Sequence, residues 1–263
     1  MRARYFWPVI FIIAGILFLL DNLGWLPGNA WGWIWAVALI LIGVGLLWPG
    51  RPRPEAEEVS VPLEGAAGAR LTLKHGAGQL SVRGGAAPDL LFSGSFGGGV
   101  DKDVRRMGDM LDVTLQLPRQ DWGLWAWPGG WGRARLDWNV SVNPNVPLQM
   151  AVEGGASEAW LDLSTLRVTD LSLKTGASST RLALPGQAGH TQARIEAGAA
   201  SVRIEVPAGV AARIHGVMGL GALNVDERRF PRRGSEYQSD DFATAVNRVE
   251  IEISGGVGSV EVR

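Results

Sequence analysis

Reaction chemistry in this chain would have to come from its three histidines, from the hydroxyl string Gly176-Ala177-Ser178-Ser179-Thr180, or from carboxylates such as Asp162 and Asp170. His75, His190 and His215 lie far apart, at no spacing that would gather ligands, and no acidic cluster accompanies them, so no metal site is expected. The hydroxyl string lacks the Gly-x-Ser-x-Gly elbow of an activated serine. It also has close counterparts in GASEA and GAASV nearby, which marks it as one copy of a repeated bend. The same glycines lack the Lys-Ser/Thr that completes a phosphate loop, so no nucleotide cofactor is implied. Hydrolysis of a glycosidic bond needs an acid and a base several Å apart, and Asp162 and Asp170 read as isolated. No catalytic residue, metal or cofactor is assigned, and the expectation is a protein that is not an enzyme.

The elements that carry these residues are legible as a repeat. LTLKHGAGQLSV, MAVEGGASEAWLDL, LSLKTGASSTRLAL, ARIEAGAASVRIEV, ARIHGVMGLGALNV and IEISGGVGSVEV each consist of an alternating strand, a Gly/Ala/Ser bend and a second alternating strand. Gly155, Gly176, Gly198 and Gly219 recur at spacings of 21, 22 and 21 residues. A fixed period of this length signals stacked units that bury their apolar edges against one another. Gly76 and Gly256 would open and close the series. The expected architecture is an all-β solenoid, or β-helix-like stack, of roughly 21–22-residue coils, with a two-sheet β-sandwich as the alternative. Small residues at the bends meet a need for positive φ or close backbone approach. The inward ladder is expected to run through Leu161, Leu163, Leu171, Leu173, Leu182, Leu184, Ile195, Val202, Ile204, Val206, Ile214, Leu223, Val225, Ile251, Ile253, Val260 and Val262. About nine coils at ~4.8 Å each would give a stack on the order of 40 Å.

Ahead of this domain the first 50 residues read as a transmembrane α-hairpin. Residues 5–22 and 31–48 form two apolar runs of 18 residues, each long enough to span a bilayer core, joined by a loop that holds Asp21. Trp7, Trp25, Trp31, Trp33, Trp35 and Trp48 suit the interfaces, and Gly15, Gly43 and Gly45 are candidate helix-packing points. A cleaved signal peptide is the rival reading, but Gly28-Asn29-Ala30 is a poor cleavage site and a second apolar run would remain. Arg2 and Arg4 flank one run, Arg51 and Arg53 the other, and the loop between has no basic residue. The positive-inside bias therefore places both termini in the cytoplasm of a multi-pass inner-membrane protein. Residues 51–59 form an extended Pro- and Glu-rich linker, and 60–263 the β domain.

Two stretches break the repeat. Residues 119–138 hold Trp122, Trp125, Trp127, Trp131 and Trp138 with Arg133 and Arg135 among glycines and prolines, which fits either a cap on the stack or a surface for lipid or a partner. Residues 226–241 hold Arg228, Arg229, Arg232 and Arg233 around Phe230 and Pro231, followed by Asp240 and Asp241. Near an anionic leaflet each arginine would add about 1 kcal/mol of attraction, whereas a solvated loop would pair them with carboxylates. Membrane lipid and a protein are thus the expected partners, with another copy of the chain as a candidate cover for the ends of the stack. Residues 55–263 hold 21 basic and 25 acidic side chains, a net of −4 that argues against nucleic acid. The chain has no cysteine, which removes disulfides and thiolate chemistry.

Within residues 5–48, WPVIFIIAGILFLLDNLGWLP followed by WGWIWAVALILIGVGLLW resembles the paired transmembrane unit of LiaI/LiaF-like proteins, in which one helix ends in Leu-Leu-Asp-Asn-Leu-Gly and the next in Ile-Gly-x-x-Leu-Leu. NPNVPLQMAVEGGASEAWLDLSTLRVTDLSLKTGASSTRLALP and the closing IEISGGVGSVEV are similar to the C-terminal domain of LiaF-like cell wall-active antibiotic response proteins and to related toast-rack β domains. The resemblance implies a bacterial membrane-bound regulator that tunes a sensor histidine kinase in the envelope stress response. A membrane-tethered structural or adhesive module of the envelope is the alternative.

Overall fold

The computed structural model describes residues 56–118 and 136–263, and these form an all-β domain with no helix among the described residues. The expected transmembrane hairpin, with Gly15, Gly43 and Gly45, lies outside the described residues. So do all of the Trp-rich insert before Leu136 and most of the linker.

The chain opens with β1 (Glu57–Pro62), β2 (Gly68–Gly84), β3 (Leu90–Phe96), β4 (Asp101–Met107), β5 (Met110–Gln116) and β6 (Trp138–Val142). It continues with β7 (Pro147–Asp162), β8 (Arg167–Thr175), β9 (Ser179–Ala183), β10 (His190–Glu205) and β11 (Ala211–Val225). The short β12 (Arg232–Arg233) and β13 (Glu236–Gln238) precede the last strand, β14 (Arg248–Val262).

The long strands are bent at their Gly/Ala/Ser steps, and burial shows how. In β10, Thr191, Ala193, Ile195 and Ala197 are buried, then Ala200, Val202 and Ile204. The inward positions change parity across Gly198, as they must if both arms of a bent strand face one core. Strands β2, β7 and β14 change parity in the same way. Apolar residues from both arms join a single buried cluster.

The bent strands stack in parallel and in register. The order is β2, β7, the β8/β9 pair, β10, β14, β11, with β8 continuing one arm of the layer and β9 the other. Beyond β2, one arm is extended by parallel β5 and then antiparallel β4, and the other by parallel β6 and then antiparallel β3 and β1. At the opposite end, the β12–β13 hairpin pairs with β11 only at Arg213 and Ile214.

Sequence order and stacking order part company at the end of the chain. Gly219 was expected to follow Gly198, with Gly256 closing the series. Instead β14 lies between β10 and β11, pairing with β10 from His190↔Arg248 to Ile204↔Val262 and with β11 from Ala211↔Arg248 to Val225↔Val262. The ladder of bend glycines therefore runs Gly76, Gly155, Gly176, Gly198, Gly256, Gly219. A Cβ on Gly256 would lie 2.9 Å from the carbonyl oxygen of Gly198, and one on Gly219 would lie 3.0 Å from that of Gly256. These bends need close backbone approach; positive φ belongs to Gly78 and Gly258 beside them.

The expected inward ladder is buried apart from Leu223 and Val225, which are half-buried because they lie on β11, with no further layer over them among the described residues.

Candidate functional site

Register decides which outward side chains meet. On the first arm, Lys74, Glu153, Lys174 and Glu196 fall in one row across β2, β7, β8 and β10. Lys74 pairs with Glu153 at 3.8 Å and Lys174 with Glu196 at 3.1 Å. A second row on the same arm holds Arg70, Gln149, Asp170, Gln192, Glu250 and Arg213. Arg70 donates to Gln149 Oε1 from both Nε and Nη2, at 3.0 and 2.8 Å, and Arg213 lies 3.5 Å from Glu250. Opposite charges on adjacent strands are the sheet's equivalent of helix i,i+4 pairs, and each exposed pair contributes little to stability. Their effect is to present a surface of alternating sign.

Asp170, expected to be isolated, is not. Because β14 is inserted next to β10, Glu250 and Glu252 join Asp170, Gln192 and Arg194 around a shallow hollow of about 170 Å³. Arg194 Nε holds Glu252 at 3.2 Å, and Glu250 is faced by Arg213 and, at 3.8 Å, by His190. Glu250 and Glu252 are thus engaged with cations across the strands. The second arm has a different row, Trp160, Arg181, Arg203 and Glu261. The Arg181 guanidinium stacks 4.6 Å from the centre of the half-exposed Trp160 ring. Hydrogen bonds from Arg203, at 3.0 Å, and from Arg263 hold the Glu261 carboxyl below its ordinary pKa.

His75 has a structural setting. It is almost wholly buried, donates from Nε2 to the Leu136 carbonyl at 2.8 Å, and lies 5.2 Å from the Trp138 ring, which meets Phe96 edge-on at 5.1 Å. Burial pushes its pKa below the ordinary value, against weaker opposing effects of the Leu136 carbonyl and Asp137. His190 and His215 lie on separate strands, each with a single carboxylate, Glu250 or Glu236, at 3.8 and 3.9 Å. Among the described residues no group of three or more His, Asp or Glu side chains is placed to hold a metal ion.

The arginine loop is distributed over several partners. Arg229 donates to the carbonyls of Val206 and Pro207 at 2.8 and 3.2 Å and lies over Phe230, which is buried. Arg232 reaches the Gly234 carbonyl at 3.3 Å and Arg233 reaches Asp240 at 2.7 Å. The Arg228 backbone N–H donates to Asp226 Oδ1 at 3.1 Å. Trp122, Trp125, Trp127 and Trp131 lie outside the described residues. Sequence reasoning missed the Asp170–Glu250–Glu252 hollow, since it depends on where β14 inserts. It also missed the Trp160–Arg181 stack, for which a 21-residue separation on the second arm was the available signal.

Comparison with known proteins agrees with this geometry. Residues 2–54 match the family described as the LiaF transmembrane domain, which marks a membrane protein. Residues 50–205 match the family described as "N-terminal domain of toast_rack, DUF2154". No curated protein matches the sequence. A crystal structure of a "putative cell adhesion protein" from Clostridium sporogenes ATCC 15579 has a TM-score of 0.71 at 22% identity, covering 80% of this chain and 99% of that one, and so shares the fold. A family match across residues 50–205, more than half of the chain, means that this protein belongs to the toast-rack family, with a LiaF-type transmembrane domain ahead of its β domain.

Proposed function

We propose that this chain is a non-enzymatic, multi-pass inner-membrane regulator whose β domain binds a protein partner, a sensor kinase of the envelope stress response or a comparable component. The supporting observation is the pair of adjoining family matches, a LiaF transmembrane domain at residues 2–54 running directly into a toast-rack domain from residue 50. We read the bent parallel strands as a β-solenoid of two-armed coils, and the two arms viewed face to face as the sandwich alternative. Such a stack presents the alternating-sign surface of the first arm as a recognition surface, because exposed charges steer and select partners more than they stabilise the fold.

The arginine count around the apolar runs places both termini, and the β domain with them, in the cytoplasm. Alkaline phosphatase and a fluorescent protein that fails to mature when exported, each fused after Arg263, test this directly. Fluorescent, phosphatase-inactive cells are expected, and a histidine kinase should then co-purify with the full chain from crosslinked membranes. Active phosphatase would overturn the regulatory reading in favour of the second one, a membrane-tethered structural module of the envelope. That second reading draws on the uncharged stretch Gly216–Val225 of β11 at the edge of the stack.

A further inference from the structure

The two ends of the stack are finished differently. At the β1/β4 end the outermost strands carry Glu57 and Glu58 or Asp101, Lys102, Asp103, Arg105 and Arg106, and every residue of β4 is exposed. Charged outer strands discourage pairing with further strands. At the other end the β12–β13 hairpin covers only the first arm of β11, at Arg213 and Ile214. From Gly216 to Val225 the strand pairs with β14 on one side and with nothing among the described residues on the other. That stretch, GVMGLGALNV, has no charged residue, and it leaves Val217 and Leu220 at 63% and 78% exposure, beside Val257 at 55%.

We propose that the open edge of β11, Gly216–Val225, pairs antiparallel with the same segment of a second copy of the chain. Self-complementarity argues for this occupant. Twofold antiparallel pairing sets each segment against its own reverse, which a charged edge resists through like-charge contacts and a neutral one does not. The pairing satisfies the open backbone groups of both strands and covers Leu220.

The test uses the full chain in detergent. Sedimentation should show a protein dimer, and Leu220→Lys with Asn224→Lys should convert it to monomer. Mixing that variant with Leu220→Glu/Asn224→Glu should restore a mixed dimer, which only folded chains can form. The natural chain lacks cysteine, so Leu220→Cys, at the centre of the paired segment, should crosslink on oxidation, whereas Ser81→Cys, on β2 towards the other end, should not. A monomeric natural chain would overturn the proposal and direct attention to a partner's strand at this edge. A dimer that persists in the lysine variant, or no crosslink at Leu220→Cys, would overturn it in favour of an interface elsewhere.

Discussion

At the scale of single residues, the bend glycines are where sequence and energetics meet most directly. A Cβ at Gly176 would lie 2.9 Å from the Gly155 carbonyl oxygen, in a layer fixed by the Gly176 N–H bond to Gly154 O at 2.9 Å. Gly176→Val should therefore cost about 1–3 kcal/mol through forced separation of the layers. Ala177→Val, at the exposed neighbouring position, should stay within about 0.5 kcal/mol. Denaturant unfolding of the full chain distinguishes the two. His75 sets a pH dependence of known sign. Burial holds its folded pKa below the ordinary histidine value of about 6.5, so the unfolded chain takes up a proton first as the pH falls. Its contribution to stability is complete above about 6.5 and is lost as the pH falls from there through the folded pKa. His75→Gln should flatten the stability profile over that window, measured by unfolding at a series of pH values. The histidine's separation from His190 and His215 was legible in the sequence. Its role in holding the chain at Leu136 was not, because that contact spans 61 residues.

At the scale of elements, the alternating patterns and Gly/Ala/Ser bends of all six repeats were readable, since period-2 burial leaves its mark on every strand. Layer order was not. Every arm carries nearly the same apolar pattern, so the pattern cannot say which arm pairs with which, and a parallel layer satisfies its neighbours equally well in several positions. β14 is the case in point: it occupies an interior layer although it ends the chain. A chain stopped after Asn247 should therefore lose β11 together with β14, by exposing the facing edges of β10 and β11, and limited proteolysis should cut throughout residues 206–247. If β14 merely closed the stack, the same truncation would leave β11 protected. The arginine loop shows a similar division between what is local and what is not. Its charge density was plain, but its anchorage through Arg229 to Val206 and Pro207, 23 and 22 residues earlier, is a tertiary feature. Arg229→Ala should destabilise the domain by about 1.5–3 kcal/mol, the range for hydrogen bonds to a charged group, as read by thermal unfolding.

At the scale of the whole β domain, stability should be graded along the stack. β10 and β14 have parallel partners on both sides along both arms, whereas the second arm of β11 has one. Hydrogen exchange in the monomeric Leu220→Lys/Asn224→Lys variant should thus be fastest, among the long strands, at residues 216–225 and slowest in β10 and β14. Slower exchange at 216–225 in the natural chain than in the variant would show the same edge protected by its partner copy. Equal rates in the two would leave that edge open in both.

The sequence by itself determined the parts of this protein that depend on composition and near-neighbour spacing. Two apolar runs with tryptophans near their ends announced a membrane protein, and alternating strands with small-residue bends announced an all-β repeat domain. Both signals are local, because a strand's wet and dry faces or a membrane span's length are written in consecutive residues. Tertiary structure alone decided what depends on which strand lies beside which. It inserted β14 between β10 and β11, gathered Asp170 with Glu250 and Glu252, and left a neutral edge on β11. These follow from pairings between residues 37 to 82 positions apart, where near-identical repeats compete and only packing of the complete stack selects among them.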